Sequence, residues 1–174
     1  MSSRGRRERD PRADALRAEY AEHFGEPGVG VPIDAIAVDL LGLRVRLVED
    51  LGCSGALHPA RRLIALDAGE ARDSEGRRRF TLAHEVAHWV LHFRDDALRA
   101  EPHYYRDVTP GSVDPKEREA NVFAADLLMP FDVVAAASGE GAETLAERFI
   151  VSEPAMAWRL YNLGLSQERP APDA

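Results

Sequence analysis

The segment His84-Glu85-Val86-Ala87-His88 contains the residue types from which a zinc-dependent hydrolase builds its centre. In an α-helix, residues four apart lie on the same face, about 6 Å apart along the axis. Both imidazoles can therefore reach one ion at a Zn–N distance of about 2.0–2.1 Å. Glu85 follows the first histidine, which places its carboxylate beside the ion, where it can take a proton from metal-bound water. The spacing predicts the chemistry of a metalloprotease. The alternative is a surface helix with two hydrogen-bonded histidines.

A catalytic zinc ion generally has three protein ligands and one open position for water. The third ligand is expected from a second predicted helix, which begins at Asp114 and has Pro115 at its first position. Glu117, at the third position, completes a capping arrangement with Asp114. This interpretation leaves Glu119 as the preferred third ligand and Glu117 as the alternative.

Two further polar residues, His92 and Asp126, lie on the same two predicted helices. His92 continues the four-residue spacing, but it is about 12 Å along the axis from His84, too far to share an ion. We expect it near the rim of the site. Asp126 follows Glu119 by two helical turns, so it either orients a zinc-bound imidazole through a hydrogen bond or faces solvent.

The rest of the pattern predicts an α+β fold, with a small antiparallel sheet packed on helices. The helix around the histidines has a separate core face, formed by Leu82, Val86, Trp89 and Phe93. Alternating apolar and charged residues predict a half-buried strand at 43–48. The predicted elements are helices at 14–24, 32–41, 77–93 and 114–128, strands at 43–48, 55–58 and 63–66, a hairpin connection at 59–62 and a long connection at 94–113.

The C-terminal segment 144–165 is predicted to form a helix, a turn and a second helix. Ser152 can cap the second helix, and Pro154 suits its first turn. One interpretation is a DNA-binding recognition helix. Over the slightly longer stretch 140–165, four acidic residues outnumber two basic ones, which makes a poor surface for phosphates and favours packing or partner docking.

The predicted domain organisation is a main domain at 13–138 followed by the helix-turn-helix-like segment at 139–165. The charged N-terminal stretch 1–12 and the proline-containing C-terminal stretch 166–174 are predicted to be disordered tails.

Composition argues against several classes of protein. The net charge of −8 opposes sequence-independent binding to nucleic acid. No apolar run approaches the roughly 20 residues of a membrane span, and no apolar stretch follows the basic N-terminus as in a secretory signal. Cys53 is the single cysteine, which agrees with a cytoplasmic location, and we expect a buried or half-buried thiol. The basic cluster Arg77-Arg78-Arg79 is predicted to be a solvated helix end.

Two stretches, 79–92 and 117–130, resemble the two signatures of the ImmA/IrrE metallopeptidases. The first reads RFTLAHEVAHWVLH and the second reads EREANVFAADLLMP. The two signatures in this order are far more specific than the five-residue motif alone. The resemblance covers roughly residues 30–165. The chain looks like the shorter ImmA type, because it ends before the additional C-terminal sensor domain of IrrE-type members.

This resemblance implies a zincin-like fold with His84, His88 and Glu119 as zinc ligands and Glu85 as the catalytic acid and base. It also implies a protein substrate, since members cleave helix-turn-helix repressors of phage, mobile-element or stress-response genes. The leading hypothesis is therefore a zinc endopeptidase that acts on a regulator. The alternatives are a DNA-binding regulator of helix-turn-helix type and a partner-binding module that keeps the zinc motif without cleaving.

Overall fold

The computed structural model describes residues 9–94, 103–105 and 114–171, and within them a four-stranded sheet packs against α-helices. The strands are β1 (Arg44–Val48), β2 (Gly55–His58), β3 (Leu63–Asp67) and β4 (His103–Tyr105). The helices are α1 (Pro11–Phe24), α2 (Ile33–Ala35), α3 (Ala68–Asp73), α4 (Glu75–His88), α5 (Pro115–Leu128), α6 (Phe131–Ala136), α7 (Ala142–Phe149) and α8 (Glu153–Asn162). The predicted α+β class is confirmed.

The sheet is mixed, with the strand order β1-β3-β2-β4. The predicted hairpin is present, because β2 and β3 pair antiparallel through a short turn at Pro59–Arg61. The prediction of an antiparallel sheet is wrong for β1, which pairs parallel with β3. β1 and β2 are not neighbours in the sheet. β3, which follows β2 in the chain, lies between them and pairs with both. The edge strand β1 is also less buried than its alternation suggested, with Leu47 56% exposed.

The core face predicted for the helix of the histidines is present in α4 and its continuation. Leu82, Val86 and Trp89 are buried, and Phe93 is partly buried against the same cluster. A wider π-helical turn, Trp89–Phe93, extends α4 beyond His88. Side chains from the sheet and from most of the helices share this cluster, which holds α4 firmly against its neighbours.

Side-chain caps fix where several helices begin. Ser74 caps α4 through the N–H of residue 77, so the helix begins two residues before its predicted start. Asp114 and Ser152 cap α5 and α8 as predicted. Asp10 caps α1, which begins at Pro11. The predicted disordered tail was placed at 1–12, but residues 11 and 12 belong to α1.

The basic cluster at the start of α4 is structural rather than a solvated helix end. Arg78 donates two hydrogen bonds to Asp34, at 2.9 and 2.7 Å. Arg79 is only 6% exposed and donates to the backbone carbonyls of Ile150 and Val31. Arg77 pairs with Glu70 at 3.4 Å, so all three guanidinium groups have protein partners, and Arg79 ties α4 to the turn between α7 and α8.

The C-terminal helix pair packs on the rest of the chain through its apolar side chains. Leu145 and Phe149 of α7 and Met156 of α8 are buried in the cluster that also contains Leu82. Ile150 adopts the left-handed conformation between the two helices, with φ of 56°. The predicted helix-turn-helix shape is present, and the apolar faces of both helices pack in the hydrophobic core.

Gly76 allows the first turn of α4 to approach this turn closely. A Cβ atom at position 76 would lie 2.5 Å from the backbone N of Ser152 and 2.5 Å from the carbonyl carbon of Val151. Backbone atoms cannot move aside as a flexible side chain can, so the close contact requires glycine.

We expect Gly76→Ala to lower the free energy of unfolding by about 1–3 kcal/mol, as overpacking does. In an unconstrained helix the same change stabilises by up to about 1 kcal/mol, so a loss of stability reports the contact with the turn. Urea unfolding followed by circular dichroism measures it. Gly28→Ala, in the loop between α1 and α2, is the control for the added methyl group, because a Cβ there meets nothing within 4 Å. Equal stability of both variants would contradict the close approach.

Parts of three predicted regions lie outside the described residues: 1–8 and 172–174 of the tails, and 95–102 and 106–113 of the long connection. Within that connection the structure has the short strand β4, which was not predicted and pairs antiparallel with β2. None of the helices in the described part of the chain is long and apolar enough to cross a membrane.

Candidate metal centre

The two histidines of α4 face one another across one helical turn, as their spacing predicted. The Nε2 atoms of His84 and His88 lie 3.0 Å apart, and their ring centroids are 4.7 Å apart. Both side chains are fully buried. Both imidazole rings point towards α5, the helix that packs along α4.

Glu117 of α5 completes a cluster with the two histidines. One carboxylate oxygen lies 3.1 Å from Nε2 of His84, and the other lies 3.1 Å from Nε2 of His88. The three possible ligand atoms all lie within 4.8 Å of one another. Ligand atoms on a tetrahedral zinc ion at 2.0–2.1 Å lie roughly 3.3 Å apart. The donor set and its spacing therefore fit a divalent cation such as zinc.

The structure places Glu117, the alternative third ligand, beside the histidine pair, and it does not bring the preferred Glu119 into that cluster. The Glu119 side chain is 53% exposed, and its carboxylate lies 3.8 Å from Nε2 of His92. Residues two apart on a helix point in nearly opposite directions, so only one of these two glutamates can face α4. Asp114 caps α5 through the N–H of residue 116, which leaves the Glu117 carboxylate to reach across to the histidines.

Asn121 supports His84 from the side opposite the cluster. Its Oδ1 lies 2.9 Å from Nδ1 of His84, and it follows Glu117 by four residues on the same face of α5. Asp126 was predicted either to contact a zinc-bound imidazole or to face solvent, and the structure shows neither arrangement. It is buried and forms an ion pair with Arg159 of α8. The spacing of four from Glu117 was the available sequence signal for Asn121.

Glu85 follows His84 in α4, and its side chain lies against Gly55 of β2. Its side chain is fully buried, and neither carboxylate oxygen has a hydrogen-bond partner among the described residues. Burial raises the pKa of the Glu85 carboxyl well above its ordinary range, and the nearby Glu117 carboxylate acts in the same direction. A positive ion beside it would act the other way. A buried, unpartnered carboxylate next to a possible metal site suits proton transfer.

Gly55 of β2 provides the space that the Glu85 side chain occupies. A Cβ atom at position 55 would lie 2.7 Å from Cγ2 of Thr81 and 3.1 Å from Oε1 of Glu85. Glycine is therefore required for β2 to pass this close to α4. The half-buried thiol of Cys53 donates a weak hydrogen bond to the Gly55 carbonyl, at 3.2 Å. Sequence reasoning gave Gly55 no role, because its neighbour in space is thirty residues away in the chain.

His92 lies one step beyond the cluster, in the π-helical turn after α4. Its ring centroid is 5.4 Å from that of His88, and its side chain is only 9% exposed. Burial lowers the pKa of His92 from its ordinary value, so the neutral imidazole is favoured. As predicted, it is not part of the three-residue cluster, although it is more buried than a rim position suggests.

Comparisons with known proteins bear on the fold and the family of the chain. No curated protein shows a matching sequence. A solved structure described as a Mycobacterium tuberculosis transcriptional regulator is similar in fold, with a TM-score of 0.61 at 18% sequence identity. The similarity covers 91% of this chain and 49% of that protein, so the chain spans about half the length of that regulator. The Peptidase_M78 family model, described as the IrrE N-terminal-like domain, matches residues 47–161. This match covers more than half of the 174 residues, and the chain belongs to that family.

Proposed function

We propose that this protein is a zinc-dependent endopeptidase that cleaves a helix-turn-helix transcriptional repressor of a phage, a mobile element or a stress regulon. The observation that carries the proposal is the convergence of His84, His88 and Glu117 with the unpartnered carboxylate of Glu85 next to His84. Membership of a peptidase family supports the same chemistry. The proposed place of action is the cytoplasm, where a repressor and its DNA are found.

His84, His88 and Glu117 would hold the zinc ion as three protein ligands and leave an open position. A bound zinc ion supplies Lewis acidity, which lowers the pKa of a coordinated water towards ~7 and polarises the scissile carbonyl. Glu85 accepts the proton of the attacking water and later returns it to the leaving amine. Its burial between Gly55 and Thr81 keeps this carboxylate in one position and away from bulk water.

A repressor substrate follows from the resemblance to peptidases that cleave such proteins. Fold similarity to a protein described as a transcriptional regulator agrees with a role in transcription, although that protein is about twice as long. Direct DNA binding by the C-terminal helix pair is disfavoured because its basic groups are engaged. Arg148 pairs with Glu140 at 2.7 Å, and Arg159 is buried against Asp126. Phosphate contacts need basic side chains that reach the surface.

Removal and return of zinc test the proposal. The purified protein should contain near-equimolar zinc and should cleave the helix-turn-helix repressor encoded beside its gene. EDTA treatment followed by dialysis should abolish cleavage, and one equivalent of Zn²⁺ should restore it. Cleavage that survives complete metal removal would exclude a metallopeptidase. If zinc-loaded protein binds the repressor without cutting it, the non-catalytic partner-binding module becomes the better description.

A further inference from the structure

We infer that Asn121 is a positioning residue that fixes the tautomer and ring orientation of His84 for metal binding. This inference rests on the proposed function. It concerns a residue outside the ligand set, and the geometry that carries it is a contact between two helices. Oδ1 of Asn121 lies 2.9 Å from Nδ1 of His84, while Nε2 of the same ring faces His88 and Glu117.

The tautomer of His84 decides whether the ring can bind a metal in this orientation. A neutral imidazole carries one N–H group and one acceptor nitrogen. If Nδ1–H donates to the Asn121 oxygen, the lone pair of Nε2 is directed at the cluster. The opposite arrangement, with the amide NH₂ facing Nδ1, would place a hydrogen on Nε2 and point it at the place of the ion. The ligand role of His84 therefore requires the Asn121 oxygen to face Nδ1.

Helix α5 supplies this contact in a fixed relation to the third ligand. Glu117 and Asn121 are four residues apart, so they occupy neighbouring positions on one helix face. Ala120 and Ala124 are fully buried between α5 and the core, and their small side chains keep that face close to α4. The carboxylate that completes the cluster and the amide that orients His84 therefore move as one rigid unit.

An amide is better suited to this position than a carboxylate because the site already contains two acidic side chains. Glu85 and Glu117 together balance the two positive charges of a zinc ion. Asn121 orients the imidazole as a hydrogen-bond acceptor without adding a third negative charge. A metal-binding histidine commonly donates its other N–H to a carboxylate or a carbonyl, and loss of such a partner typically costs 10–100-fold in metal affinity.

The test compares two substitutions of nearly equal size in the full chain. Asn121→Asp keeps an acceptor oxygen at Nδ1, whereas Asn121→Leu removes it. We expect Asn121→Leu to weaken zinc binding about 10–100-fold in competition with a chromophoric chelator. Asn121→Asp should stay within about tenfold of the wild type. Asn162→Leu is the control, because Asn162 is exposed near the end of α8 and should bind zinc as the wild type does.

The chemical shifts of the His84 ring in the zinc-loaded protein provide a second measurement. The wild type and Asn121→Asp should show zinc on Nε2 and a hydrogen-bonded Nδ1–H, and Asn121→Leu should lose the hydrogen bond at Nδ1. Zinc on Nδ1 in the wild type, or an Nδ1–H without a hydrogen bond, would overturn the inference even if Asn121→Leu does not fold. Weaker zinc binding by Asn121→Leu with an unchanged Nδ1–H signal would also overturn it, because the effect would then be one of packing. Failure of the wild type to bind zinc would instead reject the proposed function.

Discussion

The Glu85→Gln variant is expected to keep its fold and its zinc while cleavage of the repressor falls by about 10²–10⁴. Glutamine is nearly the same size as glutamate, so it fits the space that Gly55 and Thr81 leave beside α4. It cannot accept a proton from water at neutral pH, which removes the general base. Single-turnover cleavage by zinc-loaded protein, with metal content measured on the same sample, gives the ratio.

The control for this variant is Glu119→Gln, which makes the same chemical change at an exposed position of α5. We expect it to cleave like the wild type. Binding of the repressor should persist in both variants, since the substitution at 85 is buried and leaves the protein surface unchanged. Normal cleavage by Glu85→Gln would show that another residue acts as the general base.

Local periodicity was sufficient to predict the histidine pair and the core face of its helix. The relation between His84 and His88 is set within one helical turn, and Leu82 and Val86 are buried as their spacing requires. The caps at Asp114 and Ser152 were predictable for the same reason, because a cap is a contact between residues two or three apart.

Contacts between distant segments were not predictable in this way. The alternation in β1 indicates a strand but does not identify its partner, and the parallel pairing with β3 depends on the path of the intervening chain. Asp126 has a suitable residue type for a site near the metal, yet it pairs with Arg159 from the end of the chain. Gly55 likewise acquires its role only when β2 lies against α4.

The choice between Glu117 and Glu119 shows the same limit at the centre itself. The sequence prediction assigned Glu117 to the cap of α5 and therefore left Glu119 as the metal ligand. This prediction used only neighbouring residues in the chain. The outcome depends on which face of α5 packs against α4. Ala120, Phe123 and Ala124 are buried and determine that face, and Glu117 lies on it together with Asn121. Burial of a neighbouring helix face is therefore a better guide than the cap to which glutamate lies beside the histidines.

The two glutamates are separated by a matched pair of substitutions, and Glu117→Ala is expected to lose most of the bound zinc. Its carboxylate oxygens lie 3.1 Å from the Nε2 atoms of both histidines, so its removal leaves two protein ligands on an ion that generally needs three. The loss of affinity should exceed the roughly 100-fold that removal of a supporting residue costs.

Glu119→Ala should retain near-equimolar zinc. The Glu119 carboxylate lies 3.8 Å from Nε2 of His92, and the Glu119 side chain is about half exposed. Surface ion pairs of this kind contribute only about 0–1 kcal/mol to stability. Zinc content after dialysis and affinity in chelator competition should rank the proteins in a fixed order. The wild type and Glu119→Ala should bind equally, and Glu117→Ala should bind as poorly as His84→Ala, the reference for a lost ligand. The reverse ranking of the two glutamate variants would return the ligand role to Glu119, and it would require α5 to turn its other face towards α4 when the metal binds.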